Sequence, residues 1–260
     1  MLQTSGWGAG RAQPLIRPGD EAHNQTTSDC GDETTKKQMT TYLSESTTCG
    51  ACGRVFIHKS LASTNSFGSP DLDLRPPEMH RSTMASWVQR CPTCGYCAKD
   101  VSKFDEKLRC VIEDANYQLQ LADKDCPELA STLICAGKVS EFSADEVAAG
   151  WNYLRAAWAF DDQKCDPPAS QWRSRAADIF AGVVAKGTPI VGGAGGSQAI
   201  IVDCLRRSSR GTEALAIISQ ALEQDYDDVI RQALIFQKQL IERGDVACHR
   251  VEEALPHPVT

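Results

Sequence analysis

Two cysteine pairs of identical spacing restrict the fold of this chain more than any other feature of its sequence. Cys49 and Cys52 form the first pair and Cys91 and Cys94 the second, and in both pairs two residues separate the cysteines and a glycine follows directly. Thiolates at this spacing can bind one tetrahedral ion, and glycine permits the positive φ angle that points backbone N–H groups toward the sulfurs. The four cysteines therefore predict one closed, structural Zn²⁺ site.

A third two-residue spacing leaves an alternative function open. Cys97 follows Cys94 in the same way, between a strand-like segment and a helical pattern, which is the local setting of a thiol redox site. Thiol redox chemistry at Cys94 and Cys97 is therefore the first alternative, although the parallel strand–helix–strand pattern of thioredoxin-like folds does not follow. Cys97, His58 or His80 could also replace one thiolate as a metal ligand.

The other cysteines lack paired spacing, and buried thiols without a ligand are the simplest interpretation of such residues. We expect them to be core or surface thiols. They are Cys30, Cys110, Cys126, Cys135, Cys165, Cys204 and Cys248.

Composition predicts a soluble cytoplasmic protein. Of the 260 residues, 42% are hydrophobic and 23% are charged, and no apolar run approaches the roughly 20 residues of a membrane span. Residues 1–20 contain no apolar stretch like that of a secretory signal peptide. Because the cytoplasm keeps thiols reduced, the 12 cysteines are interpreted as metal ligands and buried thiols instead of disulfides.

The charge distribution argues against a nucleic-acid partner. The net charge is −7, and the acidic excess lies mainly after residue 105, where it would repel phosphate backbones. The second alternative function is nevertheless a zinc ribbon that binds nucleic acid. Four cations in the cysteine-rich segment would contact the phosphates. They are Arg75, Arg81, Arg90 and Lys99.

The residue pattern divides the chain into four segments, and the fold class it predicts is α+β, mainly α. Residues 1–44 are polar and are expected to be a disordered leader. Residues 45–104 form a small zinc-ribbon-like β module, residues 105–245 an all-α domain of helical hairpins, and residues 246–260 a flexible tail. Strand signals in the module lie across Val55–Ser60, Asp71–Arg75 and Trp87–Gln89.

Proline, glycine and capping signals predict the helix boundaries. Pro127 and Gly137 stand where one helix would begin and end, and Ser143 with Glu146 has the spacing of a capping box for the next. Apolar residues at helical spacing then predict three later helices. These helices span about Ala199–Arg207, Glu213–Gln224 and Asp227–Arg243.

Three stretches resemble a known family. They are Asp71–Pro77 (DLDLRPP), Trp87–Arg90 (WVQR) and Cys91–Ala98 (CPTCGYCA). They resemble an uncharacterised bacterial family in which a zinc-ribbon-like front with a CPxCGY knuckle precedes tetratricopeptide-like helices. The resemblance spans about residues 48–244. It implies the same four cysteines as metal ligands, and it brings no known reaction.

The tetratricopeptide likeness can be compared position by position. Trp151, Leu154 and Trp158 match the spacing of the first helix of the repeat, but Arg155 stands where a small residue is usual. Matches to the small positions of the second helix occur in a later segment, at Ala214, Ala221 and Leu222. If these are true repeats, their concave face is expected to bind a protein or peptide.

A glycine-rich segment at residues 192–197 lies between an apolar stretch and a helix, as a phosphate-binding loop would. It lacks the lysine of a Walker loop and the third glycine of a dinucleotide fingerprint, so we interpret it as a connector. No metalloprotease, hydrolase or kinase motif was found in the sequence. The sequence therefore predicts a non-enzymatic, zinc-binding interaction scaffold, with its partner and oligomeric state undetermined.

Overall fold

The computed structural model describes residues 40–256, which are mainly helical with two small sheets at the front. Strand β1 (Thr41–Thr48) pairs antiparallel with β2 (Val55–Ser63), and β3 (Gln89–Arg90) pairs antiparallel with β4 (Cys97–Ala98). The α+β, mainly α class is confirmed. Contacts between the sheets and the helices place the described residues in one compact unit.

The front segment, residues 40–104, differs from the prediction at two places. Strand β1 begins three residues before the predicted end of the leader at residue 44, because it pairs along its whole length with β2. The strand predicted across Asp71–Arg75 is wrong, since these residues form a tight turn. In that turn the Leu74 N–H donates to the Asp71 carbonyl at 2.8 Å, and the Arg75 N–H donates to Asp73 Oδ1 at 3.2 Å. The Asp73 side chain and the Asp71 carbonyl thus give the backbone local partners in place of a strand ladder.

Helices follow the front segment without further strands in the described residues. A 3₁₀ helix, Arg81–Ser86, precedes β3, and a second 3₁₀ turn precedes the first α-helix. Within residues 40–256 the α-helices are α1 (Arg109–Ile112), α2 (Ala115–Ala122), α3 (Glu128–Phe142), α4 (Glu146–Asp162), α5 (Asp166–Ala185), α6 (Gly196–Arg207), α7 (Gly211–Leu222), α8 (Asp228–Glu242) and α9 (Val251–Ala254).

Two predicted helix boundaries are wrong for identifiable reasons. Gly137 lies inside α3, where a Cβ atom would come within 2.5 Å of the Tyr153 ring, so the glycine allows α3 and α4 to approach closely. The N-cap of α4 is Asp145, not Ser143, and its carboxylate accepts the Ala148 N–H at 3.0 Å. The carboxylate of the residue directly before the helix therefore takes the place of the expected capping box.

Helices α3 to α7 each pack against the next helix along the chain, and α8 packs against both α6 and α7. One apolar core runs through this stack and continues under the cysteine-rich loops. Its fully buried members include Leu133, Leu154, Phe180, Ile200 and Ile218. In the part of the chain that the structure describes, no helix combines the length and the hydrophobicity needed to cross a bilayer.

The segment predicted to be a flexible tail contacts the front segment. The Leu72 N–H donates to the His249 carbonyl and the Val251 N–H donates to the Pro70 carbonyl, both at 2.9 Å. Leu72 also packs with Leu240 of α8, and Val251 of α9 packs against this pair. Backbone pairing and apolar contact therefore hold residues 249–254 in place, which their polar sequence did not indicate.

Candidate metal centre

The four cysteines predicted as ligands lie together. Their sulfur atoms are all within 4.8 Å of one another. Cys49 Sγ is 3.7 Å from Cys94 Sγ, and Cys52 Sγ is 3.6 Å from Cys91 Sγ. A tetrahedral zinc ion with Zn–S bonds of about 2.3 Å requires sulfurs about 3.8 Å apart, whereas a disulfide brings them to about 2.05 Å. The separations therefore fit a four-thiolate metal site.

Each cysteine pair occupies the turn of one hairpin. Residues 49–54 connect β1 to β2, and residues 91–96 connect β3 to β4. Both of the closest sulfur contacts join cysteines from different hairpins. An ion at this site would therefore bind the two hairpins to each other, which matters because an isolated two-stranded hairpin is only marginally stable in water.

The two turns have the same backbone geometry. In the first turn the Gly53 N–H donates to the Cys49 carbonyl at 2.8 Å, and the Cys49 N–H donates to the Arg54 carbonyl at 2.9 Å. The same two bonds recur in the second turn, from Gly95 to Cys91 at 3.0 Å and from Cys91 to the residue after Gly95 at 2.9 Å. Both glycines have positive φ, +72° and +74°. The glycine after each pair is therefore required by the turn, as its position in the sequence indicated.

Neighbouring aromatic and aliphatic side chains fix the second turn. The Tyr96 hydroxyl donates to the Lys103 carbonyl at 2.8 Å, and the ring lies edge-on to Phe104 with centroids 5.1 Å apart. A Cβ atom at Gly95 would lie 2.4 Å from Leu121 of α2. The turn therefore packs directly against the helices, and a larger residue at position 95 would displace it.

Burial and backbone hydrogen bonds set the protonation of the thiols in the metal-free chain. Burial raises the pKa of Cys94 and of Cys49. Burial also acts to raise the pKa of Cys91. Hydrogen bonds from the backbone N–H groups of Cys94 and Thr93 act in the opposite direction, and the pKa of Cys91 is lowered to about 7. One thiolate is thus available near neutral pH, and zinc binding would release protons from the others because the metal takes cysteine as thiolate.

Cys97 does not belong to the four-sulfur group. It is fully buried, its thiol donates to the Gly95 carbonyl at 3.2 Å, and its N–H donates to the Tyr117 hydroxyl oxygen at 3.1 Å. Burial, followed by the nearby Cys135 thiol, raises its pKa well above the ordinary value. Neither the exposure nor the low pKa of a reactive redox cysteine is present.

The two histidines considered as ligands also lie outside the cluster. His58 Nε2 is 2.7 Å from the side-chain nitrogen of Gln89 and 3.7 Å from the Glu45 carboxylate. The His80 ring lies edge-on to Trp87 with centroids 5.1 Å apart. The described cluster therefore consists of cysteines alone.

Three of the four cations considered for nucleic-acid binding are already bound within the protein. Arg75 donates to the Asp162 carboxylate and Arg81 to the Asp71 carboxylate, each at 2.6 Å. Arg90 donates to a backbone carbonyl of α2 at 3.4 Å. These arginines therefore do not form a free basic patch, and the nucleic-acid alternative loses most of its residues.

A second buried cluster was not recognised in the sequence. Asp73 is fully buried, and its Oδ2 accepts from Trp158 Nε1 at 2.7 Å and from Arg207 Nη1 at 3.4 Å. Arg207 also donates to Asp161 at 3.0 Å, and Asp161 pairs with Arg173. The DLDLRPP stretch is therefore a loop inserted against α4 and α6. Its only sequence signal is the resemblance, because no local spacing identifies partners so distant in the chain.

Comparison of the chain with protein-family models, with curated proteins and with solved structures finds no match in any of the three. The resemblance to the uncharacterised bacterial family, and the repeat character of the helices, stay predictions.

Proposed function

We propose that Cys49, Cys52, Cys91 and Cys94 hold one structural Zn²⁺ ion. The observation that carries this proposal is the set of four sulfurs from two hairpins at separations that match the edges of a zinc tetrahedron. Four sulfur donors favour zinc or iron among the common metals, and oxygen-seeking cations such as Mg²⁺ and Ca²⁺ are disfavoured. Zinc bound in this way supplies no reactive position; it supplies folding free energy, on the order of 10 kcal/mol in isolated zinc modules.

Native mass spectrometry, compared with the denatured mass, tests the metal assignment. The full chain purified under reducing conditions is expected to carry one zinc ion per chain. A Cys91→Ser, Cys94→Ser double variant should carry none, whereas Cys110→Ser, an exposed thiol outside the cluster, should keep the ion. A metal-free wild-type chain in which Cys94 and Cys97 are joined, two hydrogens lighter than the thiol form, would instead favour the redox function.

We further propose that the helical part acts as a non-enzymatic scaffold for a protein partner. The sequential packing of α3 to α7 supports this proposal, because stacked helical hairpins leave extended surfaces that other proteins bind. A groove of about 540 Å³ lies along α3 and α5 and is lined by the partly buried Trp172, whose ring stacks on the buried Tyr153 with centroids 5.0 Å apart. An aromatic side chain at the surface beside an arginine, here Arg175, is typical of protein interfaces.

Cross-linking of the full chain in lysate, followed by mass spectrometry, tests the scaffold role. The expected result is one partner protein that is cross-linked to residues along α3 and α5 and is lost when Trp172 is replaced by alanine. Trp172→Ala needs a stability control, because its ring packs against the core. Turnover of a substrate by the purified protein, abolished by a point substitution in this chain, would contradict the scaffold proposal.

A further inference from the structure

Arg155 of α4 differs from every other arginine that is at least half-buried within residues 40–256. Its Nε is shielded from solvent without a partner, and the guanidinium makes no hydrogen bond or ion pair with any described residue. Four other arginines also have an unpartnered Nε, but each of them binds a carboxylate through a terminal nitrogen. They are Arg75, Arg173, Arg206 and Arg207.

Two indole rings flank the Arg155 guanidinium. Its central carbon lies 5.6 Å from the centre of the Trp87 ring and 5.9 Å from the centre of the Trp151 ring. Trp87 Nε1 donates to the Thr83 hydroxyl at 2.9 Å, and Trp151 Nε1 donates to the Ile190 carbonyl at 3.3 Å. Because both indole N–H groups are engaged elsewhere, the ring positions are fixed and their faces stay beside the cation.

Among residues 40–256 no carboxylate forms an ion pair with this guanidinium, and its Nε is shielded from solvent. Burial lowers the pKa of Arg155 from its ordinary value, and the indole faces compensate only part of the lost hydration. A bound anion would supply the missing counter-charge.

We propose that Arg155, Trp87 and Trp151 form a binding site for an oxyanion, either a carboxylate or a phosphate group. The terminal nitrogens of a guanidinium donate in parallel to two oxygens of such a group. The indole rings can contact the apolar part of the ligand. Trp87 directly follows the 3₁₀ helix of the front segment, whereas Trp151 and Arg155 belong to α4. The site therefore exists only where the front segment packs on α4.

Isothermal titration of the full chain with inorganic phosphate and with benzoate, at constant ionic strength, tests the site and separates the two ligand sources. We expect saturable binding of at least one probe, weakened about tenfold or more in Arg155→Met because a charged hydrogen-bond donor is lost. Arg175→Gln, which removes an exposed and paired arginine of α5, should bind as the wild type does. Binding of neither probe, or equal binding by Arg155→Met, would overturn the proposal.

Thermal unfolding separates a ligand-binding arginine from a structural one. Without an added anion, Arg155→Met should melt at the same temperature as the wild type or higher, because it loses an uncompensated charge. The anion should raise the melting temperature of the wild type and leave that of Arg155→Met unchanged. A clearly lower melting temperature of the anion-free variant would show that Arg155 has a structural partner. These readouts do not depend on which metal the cysteines bind.

Discussion

Two of the contacts that hold the front segment differ in their chemistry. The cysteine cluster joins hairpin β1–β2 to hairpin β3–β4 through four like groups, which repel one another as thiolates unless a cation lies between them. The loop at residues 71–77 joins the front segment to α4 and α6 through groups of opposite charge that bind directly. In the proposed function an added ion completes the first contact, whereas the second is complete within the chain.

The difference determines what can be recognised in the sequence. The two-residue spacing of each cysteine pair indicates a metal site, because both thiolates must reach one ion from one turn. Asp73 binds Trp158 and Arg207, which are 85 and 134 residues away, and nothing local indicates either partner. Candidate metal ligands can therefore be identified from a single sequence, whereas buried ion pairs can be identified only once the fold is known.

Metal removal is expected to have the largest effect, and to act on the front segment alone. Chelation under reducing conditions, or a Cys49→Ser, Cys52→Ser double substitution, should remove on the order of 10 kcal/mol from the folding of residues 41–104. Hydrogen exchange should rise across β1 to β4 while α3 to α7 keep their protection. Cys110→Ser serves as the matched control and should change neither region. Simultaneous loss of protection in α3 to α7 would show that the two contacts are not separable.

Breaking the contact of residues 71–77 with α4 and α6 should reduce the free energy of unfolding by less than metal removal does. The reduction should affect the front segment and the helices together. Asp73→Ala leaves the Trp158 indole N–H without its buried acceptor and removes one of the two carboxylates that bind Arg207, so we expect a loss of about 3–5 kcal/mol in the free energy of unfolding. Asp178→Ala removes an exposed partner of Arg210 and should cost less than about 1 kcal/mol. Urea unfolding of both variants measures the difference. Equal, small losses would mean that the buried cluster contributes nothing specific.

Within the helices, which rely on packing, adding a methyl group should have an intermediate effect. A Cβ atom at Gly150 of α4 would lie 2.4 Å from the Phe180 ring, so Gly150→Ala should destabilise the protein by about 1–3 kcal/mol. Gly182 of α5 has nothing within 4 Å of its Cβ position, so Gly182→Ala should stabilise the helix by up to about 1 kcal/mol. Thermal unfolding gives both signs. Stabilisation by Gly150→Ala would contradict the close approach of α4 and α5.

The smallest effect is expected at Cys97. Cys97→Ala removes a buried sulfur outside the four-sulfur group, so the variant should keep its full metal content and lose about 1 kcal/mol of stability. Metal analysis beside thermal unfolding checks both quantities. Loss of the metal would place Cys97 among the ligands and remove the distinction between Cys94 and Cys97.

The fold class, the order of the helices from α6 to α8 and the cysteine cluster could be predicted because each depends on short-range patterns. Apolar spacing predicted helices close to Gly196–Arg207, Gly211–Leu222 and Asp228–Glu242, within a few residues at each end. These helices have clear polar and apolar faces, so their periodicity is strong in the sequence.

Misassigned features depend on contacts between distant residues. Gly137 resembled a helix end, but it lies where α3 meets Tyr153 of α4. Residues 71–75 alternate charged and apolar residues like a strand, but Asp73 accepts hydrogen bonds from the turn backbone and from Trp158 of α4. In both cases the local sequence pattern is compatible with the predicted element. Contacts with residues distant in the chain determine the conformation that forms.

The central claim is that four thiolates share one zinc ion, and zinc K-edge X-ray absorption of the purified full chain tests it most directly. The prediction is a first shell of four sulfur atoms at about 2.3 Å with no nitrogen or oxygen ligand. A shell that mixes sulfur with nitrogen or oxygen, or a chain that retains no zinc under reducing conditions, would contradict it.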